Sequence, residues 1–440
     1  MKGLNTFLYE GKHFVRNPFK VIALLLFVLA GIYGLHNGAS LYKKQQLEIE
    51  KINQKIETDQ QKVIEYYESN NVGPKDRPWV NVREPYWAVW YSSTYEFKKP
   101  SPAMVYSIGQ AEQYGFYKKV TFNSSPYDAD MAEEIANPER LQTGTLDFSF
   151  VILFLLPLVL LILIYNLKSY ESEQGFLQLI LVQSASKNSW LLYRVLFYFI
   201  LIFLTIILLL VYGATLTGVF ANESNVFGNI VILVFLYQLF WGIFYFIILL
   251  RGKSILSNTL QMVGVYLIFT FIIPATVHQW VSIEKPTNLM VDYIDVKRDK
   301  TQDLYDEPDS IVQSKLNALF PKIENTVLAK DTLRNTKAMN RSISALTNEL
   351  MKESLGFIQK ESEAKNAIIQ STYWYNPVAY FQNQLNKKAE THYENYQQYR
   401  DRIQTTVDRQ IQIMVPDIYN DIKVDKEKYL DYINQINYDQ

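Results

Sequence analysis

The chain has 440 residues, with 43 basic against 44 acidic side chains and no cysteine. The missing cysteine excludes disulfide frameworks, Cys-ligated zinc and thiol catalysis, and a net charge near zero argues against a nucleic-acid binder. A mean hydropathy of -0.07 looks ordinary only because charge is segregated: from Leu146 to Val277 there are nine charges in 132 positions.

Residues 1–20 hold Lys2, Lys12, Arg16 and Lys20 against Glu10 and lead into an uncharged apolar run over 21–41. A bilayer-crossing helix needs about 20 such residues. The run qualifies as the first span, and its length and flanks are wrong for a cleaved signal peptide. After it, Leu47, Ile49, Ile52, Ile56 and Val63 recur at near-helical spacing among Glu, Lys and Gln, as in a helix leaving the membrane, until the breakers Asn70, Asn71, Gly73 and Pro74.

The segment 42–145 then becomes rich in aromatics and prolines, which predicts an α+β piece of short strands and loops packed by Trp79, Tyr86, Trp87 and Trp90. Those rings read as core or as contact with a second subunit, with a sugar or lipid box as the other reading. Four further apolar runs begin near Phe148, Trp190, Phe227 and Thr259, so 146–277 holds spans two to five. The remainder, 278–440, is mostly helical, with Met339, Ile343, Leu346, Leu350 and Phe357 on one stripe that wants a helical partner.

Basic residues set the orientation. They cluster before span one, between spans two and three (Lys168, Lys187, Arg194) and between spans four and five (Arg251, Lys253), whereas the link Ala221 to Asn225 has none. The N-terminus is therefore expected on the cytoplasmic side, with two domains, 42–145 and 278–440, outside.

No catalytic motif emerges. Arg251-Gly252-Lys253-Ser254 ends like a phosphate loop, but the glycine needed five residues before Gly252 is replaced by Ile247. Glu133 and Glu134 have no histidine or metal ligand near them, and His13, His36, His278 and His392 are too scattered for a metal motif. The apolar middles of the spans lack Asp, Glu, Lys and Arg, unlike an ion-coupled carrier.

The loop 168–189 is the informative one. It has an acidic start, Glu171 and Glu173, then Gly175 and Leu177, an apolar run through Leu179 and Leu181, and an exit at Gln183, Ser186 and Lys187. In this loop the chain resembles the permease subunits of ABC transporters of the type 2 export class. The stretch Tyr9 to Pro18, with Glu10 and Arg16, is similar to the interfacial elbow helix of that class. Further marks match a subgroup with large extracytoplasmic domains that is described as a domain of unknown function: Ser107-Ile108-Gly109-Gln110, Asn137-Pro138-Glu139-Arg140 leading to Asp147, Pro157, Pro274, and Tyr375-Asn376-Pro377.

The resemblance implies a mainly α, polytopic permease in the bacterial inner membrane, with six spans expected, the sixth either lacking or following residue 440. It implies no hydrolytic site on this chain, with ATP and Mg on partner ABC ATPase subunits, and a second permease half, homologous or identical. Glu171, Glu173, Gly175, Leu177 and Lys187 would meet the ATPase. The output is then export of an amphiphilic substrate or mechanical work on the outer side. The rival from another class is a membrane-anchored scaffold that binds other envelope proteins. The outer stripe and the aromatic cluster offer more apolar surface than one thin helical domain can bury, and so suggest a cap in which the two outer domains pack on one another and on the partner half.

Overall fold

A computed structural model describes residues 2–127, 146–183, 187–252, 254–285, 289–330 and 335–437. The expected marks at 137–140, the pair Glu133 and Glu134, Ser184, Ser186 and Lys253 lie outside the described residues, as does the side chain of Lys187.

An N-terminal helix α1 (Lys2–Val15) turns at Asn17 into α2 (Pro18–Glu68). Asn17 accepts a hydrogen bond from the Lys20 amide at 3.3 Å, and Pro18 occupies the first turn, where its missing N–H costs nothing. With no internal proline, α2 continues for 51 residues, about 75 Å at 1.5 Å per residue. Membrane span and exit helix are thus one rod.

Five helices are long and apolar enough to cross a membrane: those beginning at Pro18, Phe148, Asn188, Ser224 and Ile255. The polar part adds a short helix α3 (Pro85–Trp90) and a two-stranded antiparallel sheet, β1 (Tyr95–Phe97) against β2 (Tyr117–Lys119), with Glu96 opposite Lys118.

Span two is a π-turn over Val151–Leu155 followed by α4 (Leu156–Ile164). A loop helix α5 (Ser169–Glu173) and a second, α6 (Leu177–Gln183), lead to α7 (Lys187–Thr217) and α8 (Ser224–Arg251). Span five is α9 (Ile255–Leu267), a π-turn over Ile268–Ile272, and α10 (Ile273–Glu284). The polar part resumes as α11 (Leu289–Asp306), α12 (Asp309–Leu319), α13 (Asn335–Ser371), α14 (Pro377–Lys388), α15 (Tyr393–Tyr419) and α16 (Lys426–Ile436).

Both π-turns sit just before the prolines, Pro157 and Pro274. Pro157 has no N–H, so the carbonyl of Leu153 four residues earlier loses its partner inside an apolar bundle, where an unpaired carbonyl is costly. Tyr237 of α8 donates its hydroxyl to that carbonyl at 2.6 Å, and Tyr266 of α9 donates to the neighbouring Phe154 carbonyl at 3.2 Å. Spans two, four and five are joined through the defect that the proline makes.

The two polar segments, expected as separate domains, build one hydrophobic core. Val63 of α2, Val82, Val89 and Phe122 pack in a single cluster with Met339, Ile343 and Leu346 of α13 and Ile403, Val407 and Met414 of α15. The α13 stripe therefore finds its cover within the chain. It also ends earlier than its spacing suggests, because Leu350 and Phe357 are exposed. Tyr86, Trp87 and Trp90 pack against the same core, whereas Trp79 is 66% exposed and packs no core.

Glu84, at the start of α3, pairs with Lys337 at 2.9 Å and with Arg341 on α13. Burial pushes its carboxyl up, but these two cations outweigh burial and hold it below the usual carboxylate value. A second departure concerns α14, which lies past residue 278 yet contributes Val378, Phe381 and Leu385 to the core of the span bundle, with Phe381 against Tyr237 at 4.8 Å between ring centroids.

Replacing Tyr237 by Phe keeps the ring and removes the hydroxyl, leaving the Leu153 carbonyl without this donor. We expect a loss of about 1–2 kcal/mol, read by unfolding of the purified chain in mixed micelles. An unchanged midpoint would show that the carbonyl finds another donor.

Candidate functional site at one end of the span bundle

At the end of the bundle opposite the polar body, single buried cations occupy the carbonyl ends of helices. The last carbonyls of a helix have no intrahelical donor, and a cation there is favoured by the helix dipole as well. Lys20 donates to the carbonyl of Leu163 at 2.6 Å and to the hydroxyl of Tyr198 at 3.2 Å. Lys168 donates to the carbonyls of Leu249, Leu250 and Gly252 at 2.9, 2.7 and 2.9 Å, closing the end of α8. Arg194 of α7 donates to the carbonyl of Leu167.

Arg194 also binds two carboxylates, Glu10 of α1 and Glu171 of α5. Glu10 and Arg194 are buried, and the guanidinium stacks near the Trp190 ring at 4.9 Å. Taking three charges out of water is expensive, and only close pairing among them offsets the cost. The triad thereby fixes where the N-terminal helix, the loop helix and span three sit relative to one another.

Glu173 faces the other way along α5. Its Oε1 accepts from the amide of Ile255 at 2.7 Å, an anion on the N-terminal end of α9. Ser169 accepts from the Asn258 amide at 2.6 Å. The tight turn between spans four and five is thus held from both sides by α5, with Lys168 on the helix that ends there and Glu173 on the helix that begins there. Glu171 and Glu173, expected to face a partner ATPase, are both engaged within the chain. The reason is local: each lies within reach of a helix end or an arginine whose own burial demands a counter-charge.

Gly175 has a φ of +77° and ends the clamped segment. A Cβ placed there would meet nothing within 4 Å, so a side chain would cost only the conformational term, about 1–2 kcal/mol. Beyond it Phe176, Leu179 and Val182, at steps of three, are 59%, 67% and 88% exposed. They form one apolar face of α6 turned away from the chain. Leu177 is partly covered, Lys187 begins α7, and Arg16 is exposed at the turn between α1 and α2.

The remaining expected marks meet at the opposite end of the bundle. Gly109 has a φ of +52°, and a Cβ there would lie 2.5 Å from the Thr391 hydroxyl. Gln110 donates its amide to the Thr391 carbonyl at 3.0 Å, and Ser107 donates to the Asn386 side chain at 2.6 Å. Asp147 accepts from the amides of Ile108 at 3.0 Å and Phe150 at 2.8 Å, so one carboxylate starts span two and grips the Ser107 to Gln110 turn. Pro377 opens α14, whose end supplies Asn386. This constellation is a lock between polar body and bundle, with no group placed for chemistry.

Sequence reading used Lys20, Lys168 and Arg194 only as a topological charge bias. The overlooked signal was their position, one cation at each junction of an apolar run with a loop. Among the described residues no group of His, Asp or Glu could hold a metal ion.

Replacing Arg194 by Met leaves the buried Glu10 and the partly buried Glu171 without their arginine, for an expected loss of about 3–5 kcal/mol. Adding Glu10→Gln and Glu171→Gln should restore most of it. Membrane yield and thermal unfolding of the two variants check this, and a single mutant as stable as the parent would contradict the triad's role.

The chain matches no family model, no curated protein and no solved structure.

Proposed function

We propose that the chain is the transmembrane subunit of an ATP-driven transporter of the ABC type, working with partner ATPase subunits and a second permease half. The observation that carries this is the contrast on either side of Gly175. Before it, α5 is wedged against the ends of the spans by Lys168, Glu171 and Glu173; after it, α6 offers an apolar face to another molecule. A loop built that way accepts a push and passes it inward. The likeness of this loop to the coupling loop of type 2 exporters supports the same reading. ATP and Mg belong to the partner.

The push has a defined route. From α5 it reaches α7 and α1 through the Arg194 triad, and the turn between spans four and five through Lys168 and Glu173. Lys20, anchored on Leu163, belongs to the same rod that carries Val63 into the core of the polar body. That continuity favours mechanical work on an extracytoplasmic body as the output, beside extrusion of an amphiphilic substrate between two halves.

Purification from native membranes should bring down an ATPase, and Leu179→Asp with Val182→Asp should release it without loss of the folded chain, since both side chains are exposed. Absence of any ATPase would favour the membrane-anchored scaffold instead.

The topology has its own test, made simple by the lack of cysteine. In intact cells an impermeant maleimide should label Lys352→Cys in the polar body and spare Gln178→Cys on α6. The reverse pattern would invert the orientation and remove α6 from the cytoplasm.

A further inference from the structure

Within the polar body a cavity of about 300 Å3 opens between α11 and α13, roofed by α3 and the turn at Asn123. Two packed helices normally fill such a seam with apolar side chains. Here most of the apolar stripe of α13 is spent on the core, so that beside Ile343 and Met351 the polar side chains Asn340, Ser344 and Asn348 face the opening. The Ser344 hydroxyl is buried and has no hydrogen-bond partner, which is costly unless something polar occupies the space. Tyr86, braced by Phe122 at 4.9 Å between ring centroids, forms the wall, and Tyr305 stands exposed at the rim.

We propose that this cavity binds a small saccharide, uncharged or acidic, of one or two sugar rings. Hydroxyl and side-chain amide groups both donate and accept, as sugar hydroxyls do. A tyrosine ring at the rim offers a flat face to the C–H side of a sugar. Among the described residues the lining contains Lys297 and Arg341, the latter paired with Glu84, and no carboxylate, which disfavours a cationic amine. Its helical walls present mid-helix surfaces, whose backbone N–H groups are already used, so the nest of amides that cradles a phosphate is missing. A lipid chain would leave the hydroxyls and amides unpaired. The volume is at the lower end of small-molecule sites and suits a ligand of this size.

The test uses the full chain in lipid nanodiscs, because alkyl glycoside detergents carry sugar headgroups that would compete. Calorimetric titration with chitobiose, maltose and galacturonate, with glucosamine and inorganic phosphate as controls, should show at least one of the three saccharides binding with a Kd of about 1 mM or tighter. Tyr305→Ala, at an exposed position, and Ser344→Leu, which fills the cavity, should each weaken that binding about tenfold or more. If Ser344→Leu fails to fold, Tyr305→Ala carries the test alone. No heat with any saccharide at about 10 mM, phosphate binding while the saccharides stay silent, or undiminished binding by Tyr305→Ala would each overturn the proposal. None of these outcomes depends on an ATPase partner.

Discussion

The guanidinium of Arg194 is the constraint on which one end of the molecule turns. Buried between Glu10 and Glu171, with a third bond to the Leu167 carbonyl, it permits one arrangement of the N-terminal helix, the loop helix and span three. A charge in such surroundings is tolerable only when fully paired, so any displacement of one partner must move the others or break the set. Lys20 and Lys168 repeat the principle on a smaller scale, each replacing the water that the last carbonyls of a span would otherwise need.

The other end of the bundle is held by neutral groups and one carboxylate. Asp147 and Thr391 gather the Ser107 to Gln110 turn, and α14 enters the apolar core beside Tyr237. Between the two ends, Pro157 weakens span two and Tyr237 repairs it. That combination leaves a bundle with firm ends and a softened middle, since π-turns and prolines are the places where a helix bends. The unbroken α2 runs beside it and links the charged junction to the polar body.

Some of this was legible in the residues. The spans were, because hydropathy over a window of span length is a local property that needs no knowledge of the fold. Trp79 does not join the core of this chain: an aromatic among prolines looks like core, and only packing reveals that its ring is left exposed. The stripe Met339, Ile343 and Leu346 was read correctly as a buried face, but its cover comes both from helices tens of positions away, with Val312 and Ile403, and from Val63 and Val82 far earlier in the chain, and no local pattern names them.

By itself, then, the sequence determined the helices and their span lengths, which depend on neighbours a few residues apart, and the absence of thiol chemistry, which follows from composition alone. Tertiary structure decided that two polar segments share one core, that Glu171 and Glu173 find partners within the chain, and that a carbonyl orphaned in span two meets a hydroxyl from span four. Those outcomes rest on pairing across long sequence separations. A carboxylate has the same composition and spacing whether it faces a partner or a buried arginine, and only the fold brings the arginine within reach.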